Sequence, residues 1–317
     1  MEEVACNICG SSESLPLFST NDYITHTAHK IVQCKSCGLT YVNPQPTKEE
    51  LPSFYPEIYY GEEPFSYEKI DARSRHKKLR KFLSGRKGRI LDVGCGKGLL
   101  LKLCKDAGWQ VAGIELSEDS TRYARETLGL EVFTSLDEKH HLRDNSLDII
   151  TFFHSLEHLK DPLSYLNDVK RLLKPDGIII IEVPRFNSFY SKIFRDKWFH
   201  LDVPRHLFHF DDHTIKKLII LAGYHIIEIK KYALMYDSFG ALQSILNSIC
   251  SEYNLLNDIN TKRLRIKDIM KPGQKRIKID AIISFLLQSF LFPPLLILSL
   301  FLSIFNIGGT FTIYAKK

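Results

Sequence analysis

The chain has 317 residues, of which 44% are hydrophobic and 25% are charged, and its formal net charge is +6. This length accommodates one full α/β core and a small accessory module, and it excludes a longer series of domains. The N-terminus is acidic and lacks the basic start and apolar stretch of a secretory signal, so we expect a cytosolic protein.

Positive charge is concentrated in two segments. Residues 73–89 hold nine Lys and Arg and no acid, and residues 262–278 hold eight against the single Asp268. Such clusters indicate an anionic neighbour. The alternative for the first segment is a solvated helix face, because its basic and apolar residues can sort onto opposite sides of a helix.

Four of the seven cysteines have the spacing of metal ligands. Cys6 and Cys9 form one C-x2-C unit and Cys34 and Cys37 form a second, each followed by glycine, with 24 residues between the units. Two such units complete a tetrahedral shell of four thiolates, which suits Zn²⁺ in a closed site. We therefore predict a zinc ribbon over residues 1–46 and a structural role for the metal. The alternative is four unrelated buried or redox cysteines.

A linker rich in proline and tyrosine follows over residues 47–71, and strands and helices alternate from Arg89 onward. A short apolar strand at 90–93 leads into a glycine turn and a helix at 99–107, and a second strand at 110–115 ends in an acid. This series is typical of the nucleoside-binding half of a doubly wound α/β fold.

Individual residues of this unit have physical tasks. Gly94 and Gly96 let the backbone turn tightly and approach a ligand closely, as no residue with a Cβ does. Glu115, at the carboxyl end of its strand, is placed to accept hydrogen bonds from two ribose hydroxyls. Asp92, two residues before the first glycine, suits a cationic ligand better than one with a pyrophosphate. The glycine spacing also departs from the dinucleotide fingerprint, because Gly98 comes one place early.

The run Leu91–Gly98 resembles the first motif of class I S-adenosylmethionine-dependent methyltransferases, and Gly113–Glu115 resembles the second. Residues 154–162 and 172–184 resemble the family's fourth and fifth strand regions. The resemblance implies S-adenosylmethionine as cofactor and an α/β domain over residues 72–317 with a doubly wound, seven-stranded, mostly parallel sheet. It also implies a cofactor site formed by Asp92, Gly94, Cys95, Gly96, Gly98, Glu115, Leu116, Phe153 and His154.

The family's acid near the adenine is missing after the third strand, where this chain has Ser135-Leu136. The residue that contacts the adenine is therefore unassigned. Asp137 is one candidate for that role, and the alternative is that Asp137 is an ordinary loop acid.

A general base, where the acceptor needs one, is expected above the carboxyl ends of the fourth and fifth strands. Residues 185–210 form a long segment without regular periodicity, which predicts a substrate cap. Within it, Pro204–His209 resembles the P-x-H-L stretch of relatives that act on sugars, quinones and lipids, and His206 is the candidate base. His154 is the second candidate. For each histidine the alternative is a hydrogen-bonded structural residue.

An apolar helical insertion, residues 240–307, precedes the last strand. Residues 281–307 carry no charged side chain, and Pro293-Pro294 is expected to break them into two helices that are each too short to span a bilayer. An interfacial or re-entrant helical pair beside the second basic segment predicts contact between residues 262–307 and an anionic membrane surface. A buried homodimer interface is the alternative.

These features together predict an enzyme that methylates a hydroxyl of a sugar, glycan or lipid-linked precursor at the cytosolic membrane face. The apolar insertion suggests the lipid part, and the family resemblance alone suggests the sugar part. RNA methylation is an alternative. Lys30 is the one Lys or Arg between the two cysteine pairs, which disfavours it, but the first basic segment keeps it open. The same features are also compatible with a cofactor-binding scaffold without turnover and, more distantly, with a nicotinamide-dependent oxidoreductase.

Overall fold

A computed structural model describes residues 1–56, 66–83, 87–135 and 142–317, so Asp137 lies outside the described residues. The strands in these ranges are β1 (Ser14–Asn21), β2 (Ala28–Cys34), β3 (Thr40–Val42), β4 (Arg89–Val93), β5 (Gln110–Ile114), β6 (Glu131–Phe133), β7 (Leu147–Phe153), β8 (Leu173–Pro184), β9 (Phe208–His209), β10 (His225–Lys230) and β11 (Thr310–Lys316).

The α-helices in the same ranges are α1 (Ser66–Leu83), α2 (Leu99–Asp106), α3 (Glu118–Arg122), α4 (Pro162–Lys170), α5 (Phe189–Phe194), α6 (Thr214–Leu221), α7 (Leu234–Ile249), α8 (Leu255–Asn260), α9 (Ile266–Ile269) and α10 (Lys275–Ile304).

The chain forms two compact units. The described residues of the first unit are 1–56, 184–217 and 230–312. Those of the second unit are 66–83, 87–135, 142–183, 218–229 and 313–317. The cysteine pairs and the predicted cap therefore belong to the first unit, and the glycine turn belongs to the second.

The second unit is built on a seven-stranded sheet with the order β10-β11-β8-β7-β4-β5-β6. β4 pairs in parallel with both β5 and β7, and the pairs β5–β6 and β7–β8 are also parallel. The predicted doubly wound fold is thereby confirmed. The chain leaves β4 toward β5 and β6 and then returns to its other side at β7, so the carboxyl ends of β4 and β7 flank the topological switch point where such folds bind ligands.

Burial on both faces explains why the inner strands are continuous apolar runs. Ile179–Ile181 of β8 have no exposed surface, and Ile90 and Ile149 on neighbouring strands lie in the same core as Leu101 and Trp109. β8 also contains Lys174–Gly177, a Lys-Pro-Asp-Gly run whose composition is typical of turns. Leu147 of β7 pairs with Leu173 and Ile149 pairs with Ile178, so residues 174–177 form a bulge inside the strand rather than a turn before it.

Side-chain capping marks the starts of α4 and α6. Asp161 accepts a hydrogen bond from the Ser164 N–H at 2.9 Å, with Pro162 in the first turn of α4. At the start of α6, Asp211 rather than Asp212 accepts a hydrogen bond from the Thr214 N–H at 2.8 Å. Asp212 is instead held by an ion pair with Arg185 at 2.6 Å.

The first unit contains a four-stranded antiparallel sheet with the order β1-β2-β3-β9. Strand β9 comes from the predicted cap segment and pairs with β3 through Thr40 with His209 and Tyr41 with Phe208. The ribbon's sheet is therefore completed by a strand almost 170 positions later in the chain, which sequence spacing alone does not indicate. Buried Ile31, Trp198 and Leu201 share one core beneath it.

Helix α10 corrects one prediction. The expected break at Pro293-Pro294 is absent, and a single helix runs from Lys275 to Ile304 with both prolines inside it. The two rings remove the intrahelical donors for the carbonyls of Ser289 and Phe290, both exposed, while the turns on either side keep their bonding. The predicted helical pair is thus one helix. Among the described helices it alone is long and apolar enough to cross a membrane, by length and composition only.

Candidate functional site

The glycine turn between β4 and α2 has two glycines with different constraints. Gly94 has φ +75°, and a Cβ there would lie 2.5 Å from the Ser155 Cβ. Ser155 is itself fixed, since its hydroxyl donates to the Val93 carbonyl at 2.6 Å. Gly96 has φ +54°, and a Cβ there would meet no described atom within 4 Å. Packing therefore excludes a side chain at Gly94, whereas the open side of Gly96 leaves room for a ligand.

Glu115 follows β5 and joins the turn directly. Its side chain accepts hydrogen bonds from the Gly96 N–H at 2.9 Å and from the Ser117 N–H at 2.8 Å. An ionised carboxylate has about four acceptor positions, so roughly two remain for ligand hydroxyls. Burial raises the pKa of Glu115, as expected for a carboxyl group removed from water.

Asp92 lies in β4, two residues before the turn, and is only 2% exposed. Its carboxylate accepts a hydrogen bond from the Thr151 hydroxyl of β7 at 2.6 Å. Burial raises the pKa of Asp92 to about 6 despite that hydrogen bond. A cationic ligand beside Asp92 would favour its ionised form, so this position is suited to a positively charged group.

The other predicted cofactor residues fall into two kinds. Leu116 is 69% exposed beside Glu115 and offers an apolar surface. Cys95 is buried, its thiol 2.5 Å from where a Cβ at Gly113 would lie. Gly98 at φ +76° would place a Cβ 2.5 Å from the Leu130 side chain. Cys95 and Gly98 thus shape the turn through packing.

Phe153 and His154, at the end of β7, also differ from each other. Phe153 is 3% exposed in the core, with the Arg75 guanidinium 5.0 Å above its ring. His154 has φ +55°, a backbone conformation that is uncommon outside glycine and that is enriched at functional sites. His154 is therefore the residue of this pair whose local geometry indicates a function.

His154 lies between two carboxylates. Its Nδ1 is 3.5 Å from Glu157 and its Nε2 is 3.3 Å from Glu182, which also pairs with Lys78 of α1. Burial alone would lower the pKa of His154, but the two carboxylates outweigh it and raise that pKa. Burial likewise opposes ionisation of Glu182, yet Lys78 and His154 lower its pKa. In the sequence, Glu182 is the single acid of the apolar run 178–183, whereas Lys78 is only one of nine cations in residues 73–89.

His206, the first candidate base, belongs to the first unit, whereas the cofactor turn belongs to the second. It is 5% exposed, and its Nδ1 lies 2.9 Å from the carbonyl oxygen of His200. A carbonyl only accepts, so in the neutral imidazole Nδ1 carries the proton and Nε2 carries the lone pair. Neighbouring Arg205, which the sequence did not single out, is fully buried and pairs with Asp22 and Asp202.

Three cations of the first basic segment form ion pairs within their own unit. Arg75 pairs with Asp71 at 2.7 Å, Lys81 pairs with Glu228 at 2.6 Å, and Lys78 pairs with Glu182. These cations are therefore held by acids of the protein, which weakens their use as contacts to a phosphate backbone.

The four predicted zinc ligands converge in the first unit. The Sγ atoms of Cys6 and Cys37 are 3.4 Å apart, those of Cys9 and Cys34 are 3.5 Å apart, and all four lie within 4.8 Å of one another. A tetrahedral Zn²⁺ with bonds of about 2.3 Å separates its thiolates by about 3.8 Å. The glycines after each pair have φ of +72° and +79°, as the turn requires. The donor set therefore fits a closed zinc site.

A family model for a methyltransferase domain matches residues 67–229, just over half of the chain. The chain is 35% identical over 103 residues to the ubiquinone biosynthesis O-methyltransferase of Haemophilus ducreyi, covering 29% of this chain and 44% of that protein. It is 39% identical over 102 residues to the enzyme of that name from Bordetella bronchiseptica, covering 30% and 41%. The chain thus spans less than half of each of these two relatives.

Among solved structures, the cyclase SpnF matches 86% of this chain and 98% of its own at a TM-score of 0.51 and 16% identity, a likeness of fold alone. The match to the family model covers more than half of the chain, and the glycine turn lies against Asp92 and Glu115 as the family's cofactor site requires. These two observations identify the family, which the likeness of fold does not. The chain belongs to the class I S-adenosylmethionine-dependent methyltransferases.

Proposed function

We propose that the protein transfers the methyl group of S-adenosylmethionine to a hydroxyl oxygen of a small acceptor. The observation that carries this proposal is the hydrogen bond from the Gly96 N–H to Glu115, which holds the open glycine turn against the acid for a ribose. The similar proteins are named O-methyltransferases, which supports oxygen as the receiving atom. The fold match to a cyclase makes a direct transfer assay necessary.

Three residues of the second unit would hold the cofactor, whose activated methyl supplies the electrophile. Glu115 would accept the ribose hydroxyls, the exposed side chain of Leu116 would pack against the adenine, and the buried carboxylate of Asp92 would face the cationic methionine end. Calorimetry with S-adenosylmethionine tests this step. Measurable binding is expected for the wild type, and a loss of at least about tenfold in affinity is expected for Glu115→Ala.

For the proton of the acceptor hydroxyl, we assign His206 as general base ahead of His154. The Nδ1 contact with the His200 carbonyl leaves the lone pair of His206 on Nε2, the form that a base requires. His154 is a weaker base candidate, because its two carboxylate neighbours stabilise the imidazolium and thus the form without a lone pair. His154 then serves to position the loop after β7.

His206→Ala should reduce turnover at least about tenfold and leave cofactor affinity near the wild-type value. The matched control is His213→Ala, because His213 is an exposed histidine of the same unit. Turnover that is unchanged in His206→Ala would remove this residue from the mechanism.

We further propose that the acceptor is a sugar, glycan or lipid-linked precursor at the cytosolic face of a membrane. The outward apolar side of α10 supports the lipid part, and the paired cations of α1 argue against RNA. The test supplies labelled cofactor to lipid, glycan and RNA fractions of the source cell. Label in lipid or glycan supports the proposal, label in RNA overturns it, and labelling of no fraction indicates a scaffold without turnover.

The four cysteines would hold Zn²⁺ in a structural role, because a shell of four thiolates leaves no coordination position for a substrate. Chelation should therefore unfold the ribbon and lower the melting temperature. Methyl transfer lost on chelation while the ribbon remained folded would contradict this assignment.

A further inference from the structure

Helix α10 has its polarity reversed relative to a helix of a water-soluble protein. Its buried residues are Asp280, Ala281, Ser284, Ser299 and Leu302, three of them polar. Its outward residues are large and apolar, namely Ile282, Phe285, Leu286, Phe290, Ile297, Leu300, Phe301 and Ile304. At 100° per residue the outward set falls within one arc of about 160°. Such an exposed stripe needs a partner.

The inward side of α10 is anchored at both ends within the first unit. At the start, Asp280 accepts hydrogen bonds from the backbone N–H of Ser251 at 2.9 Å and from its hydroxyl at 2.6 Å. Toward the end, the Ser299 hydroxyl lies 2.9 Å from the Tyr190 hydroxyl. Buried polar groups satisfied in this way fix the helix to the protein.

Helix α7 supports α10 along its length. Ser251 follows the end of α7 and bonds to the start of α10, whereas Ser238 near the start of α7 contacts the Leu295 carbonyl at 3.5 Å. The two helices are therefore antiparallel neighbours. A transmembrane α10 would carry one of its ends across the bilayer, although both are bonded to the same unit, so the structure favours a helix lying in the membrane plane.

Helix α5 packs beside α10 and carries exposed apolar residues of its own. Phe189 and Ile193 of α5 are 44% and 55% exposed, while Tyr190 and Phe194 contact the α10 side. The outward residues of α5 and α10 are called the apolar face below. Phenylalanine accounts for several of these residues, and bulky apolar side chains of this kind insert into the boundary between headgroups and acyl chains.

The charge pattern selects the partner. No charged residue occurs in 281–307, while the segment before it contains eight cations, and Lys262, Lys267, Lys275 and Arg276 among them are exposed. Lys and Arg side chains close to an anionic leaflet are attracted to its headgroups. An apolar stripe with cations at one end matches an anionic lipid surface better than a neutral protein partner does.

We propose that the protein docks on one leaflet of an anionic membrane with α10 parallel to the membrane plane and the apolar face inserted, without crossing the bilayer. The purpose of this docking rests on the proposed function, because docking would bring the enzyme to a lipid-borne acceptor. It does not depend on turnover, so binding to vesicles and methyl transfer can fail separately.

Flotation of the full, zinc-loaded chain with phosphatidylcholine vesicles, with and without phosphatidylserine, tests the docking. The wild type should float with the anionic vesicles, and a Phe290→Ser, Ile297→Ser variant should lose at least about tenfold in partitioning. Both positions are at least 70% exposed, so the variant should fold and bind S-adenosylmethionine normally. The matched control is Ile227→Ser, an exposed apolar residue of the second unit, with partitioning unchanged.

A depth measurement distinguishes an in-plane helix from a crossing one. Tryptophan placed singly at Ile282, Phe290 and Ile304, which share the outward arc, is quenched by lipids brominated at different depths. Three similar, shallow depths support docking, and a deep Phe290 site between shallow ends indicates a span and overturns it. Wild-type protein that does not float with anionic vesicles overturns the docking. A wild-type dimer that dissociates on Phe290→Ser, Ile297→Ser substitution assigns the apolar face to a second copy instead.

Discussion

Replacing Gly96 with alanine separates the cofactor role of the turn from its backbone geometry. Gly96 has φ +54° and Gly108, which follows α2, has φ +88°, and a Cβ at either position would meet no described atom within 4 Å. Each alanine therefore costs about 1–2 kcal/mol of backbone energy and nothing from a clash. The melting temperature should fall by about 2–8 °C in each variant.

Cofactor affinity should separate the two variants. The Gly96 N–H donates to Glu115, so the new methyl group lies on the side from which the ribose is expected to reach that carboxylate. Displacing the ribose enough to lose one charge-assisted hydrogen bond costs about 1.5–3 kcal/mol, or about 10–150-fold in Kd. Gly108→Ala should keep the wild-type Kd, because Gly108 lies beyond the far end of α2.

Isothermal titration of S-adenosylmethionine into both variants, with thermal unfolding of the free proteins, makes the comparison. Equal affinity of Gly96→Ala and Gly108→Ala would refute the reasoning, since it would mean that no ligand approaches the open side of Gly96. Weaker binding of S-adenosylmethionine by Gly96→Ala than by Gly108→Ala, at similar losses of stability, supports the cofactor role of Gly96.

Three further outcomes are expected. Burial raises the pKa of Asp92 from 3.8 to about 6, so the folded state binds this proton more tightly than the unfolded state does. The stability of the wild type should therefore fall as the pH rises from 3.8 to about 6. Unfolding at several pH values measures this loss, and Asp92→Asn should remove up to about 3 kcal/mol of it. Lys78→Met leaves Glu182 without its lysine partner inside the protein and should cost about 3 kcal/mol, whereas Lys81→Met, at an exposed pair, should cost less than about 1 kcal/mol in denaturant titrations. Cys9→Ser should abolish tight zinc binding as measured by elemental analysis, and a retained equivalent of zinc would contradict a four-thiolate site.

Features that depend on close spacing along the chain were predictable from the sequence. The turn at Gly94 and Gly96, the acid Glu115 one strand later and the paired cysteines are each defined within a few residues or by a repeated motif. Their local backbone requirements, such as positive φ, restrict which residues can occupy them. The doubly wound α/β class followed from the alternation of strands and helices along the chain, whereas the strand order was learned from the structure.

Contacts between distant segments were decided by the tertiary structure alone. Lys78 and Glu182 are 104 positions apart, and β9 joins the ribbon's sheet from the predicted cap. The continuity of α10 through Pro293-Pro294 is another case, because local rules predict a break and packing against α7 offsets the lost hydrogen bonds.

The sequence by itself therefore determined the fold class, the cofactor turn and the cysteine cluster, all of which depend on local backbone geometry. It left undetermined which charges are buried together and which side of α10 faces outward. Those depend on which surfaces exclude water from one another, and that is settled only when segments far apart in the chain pack together.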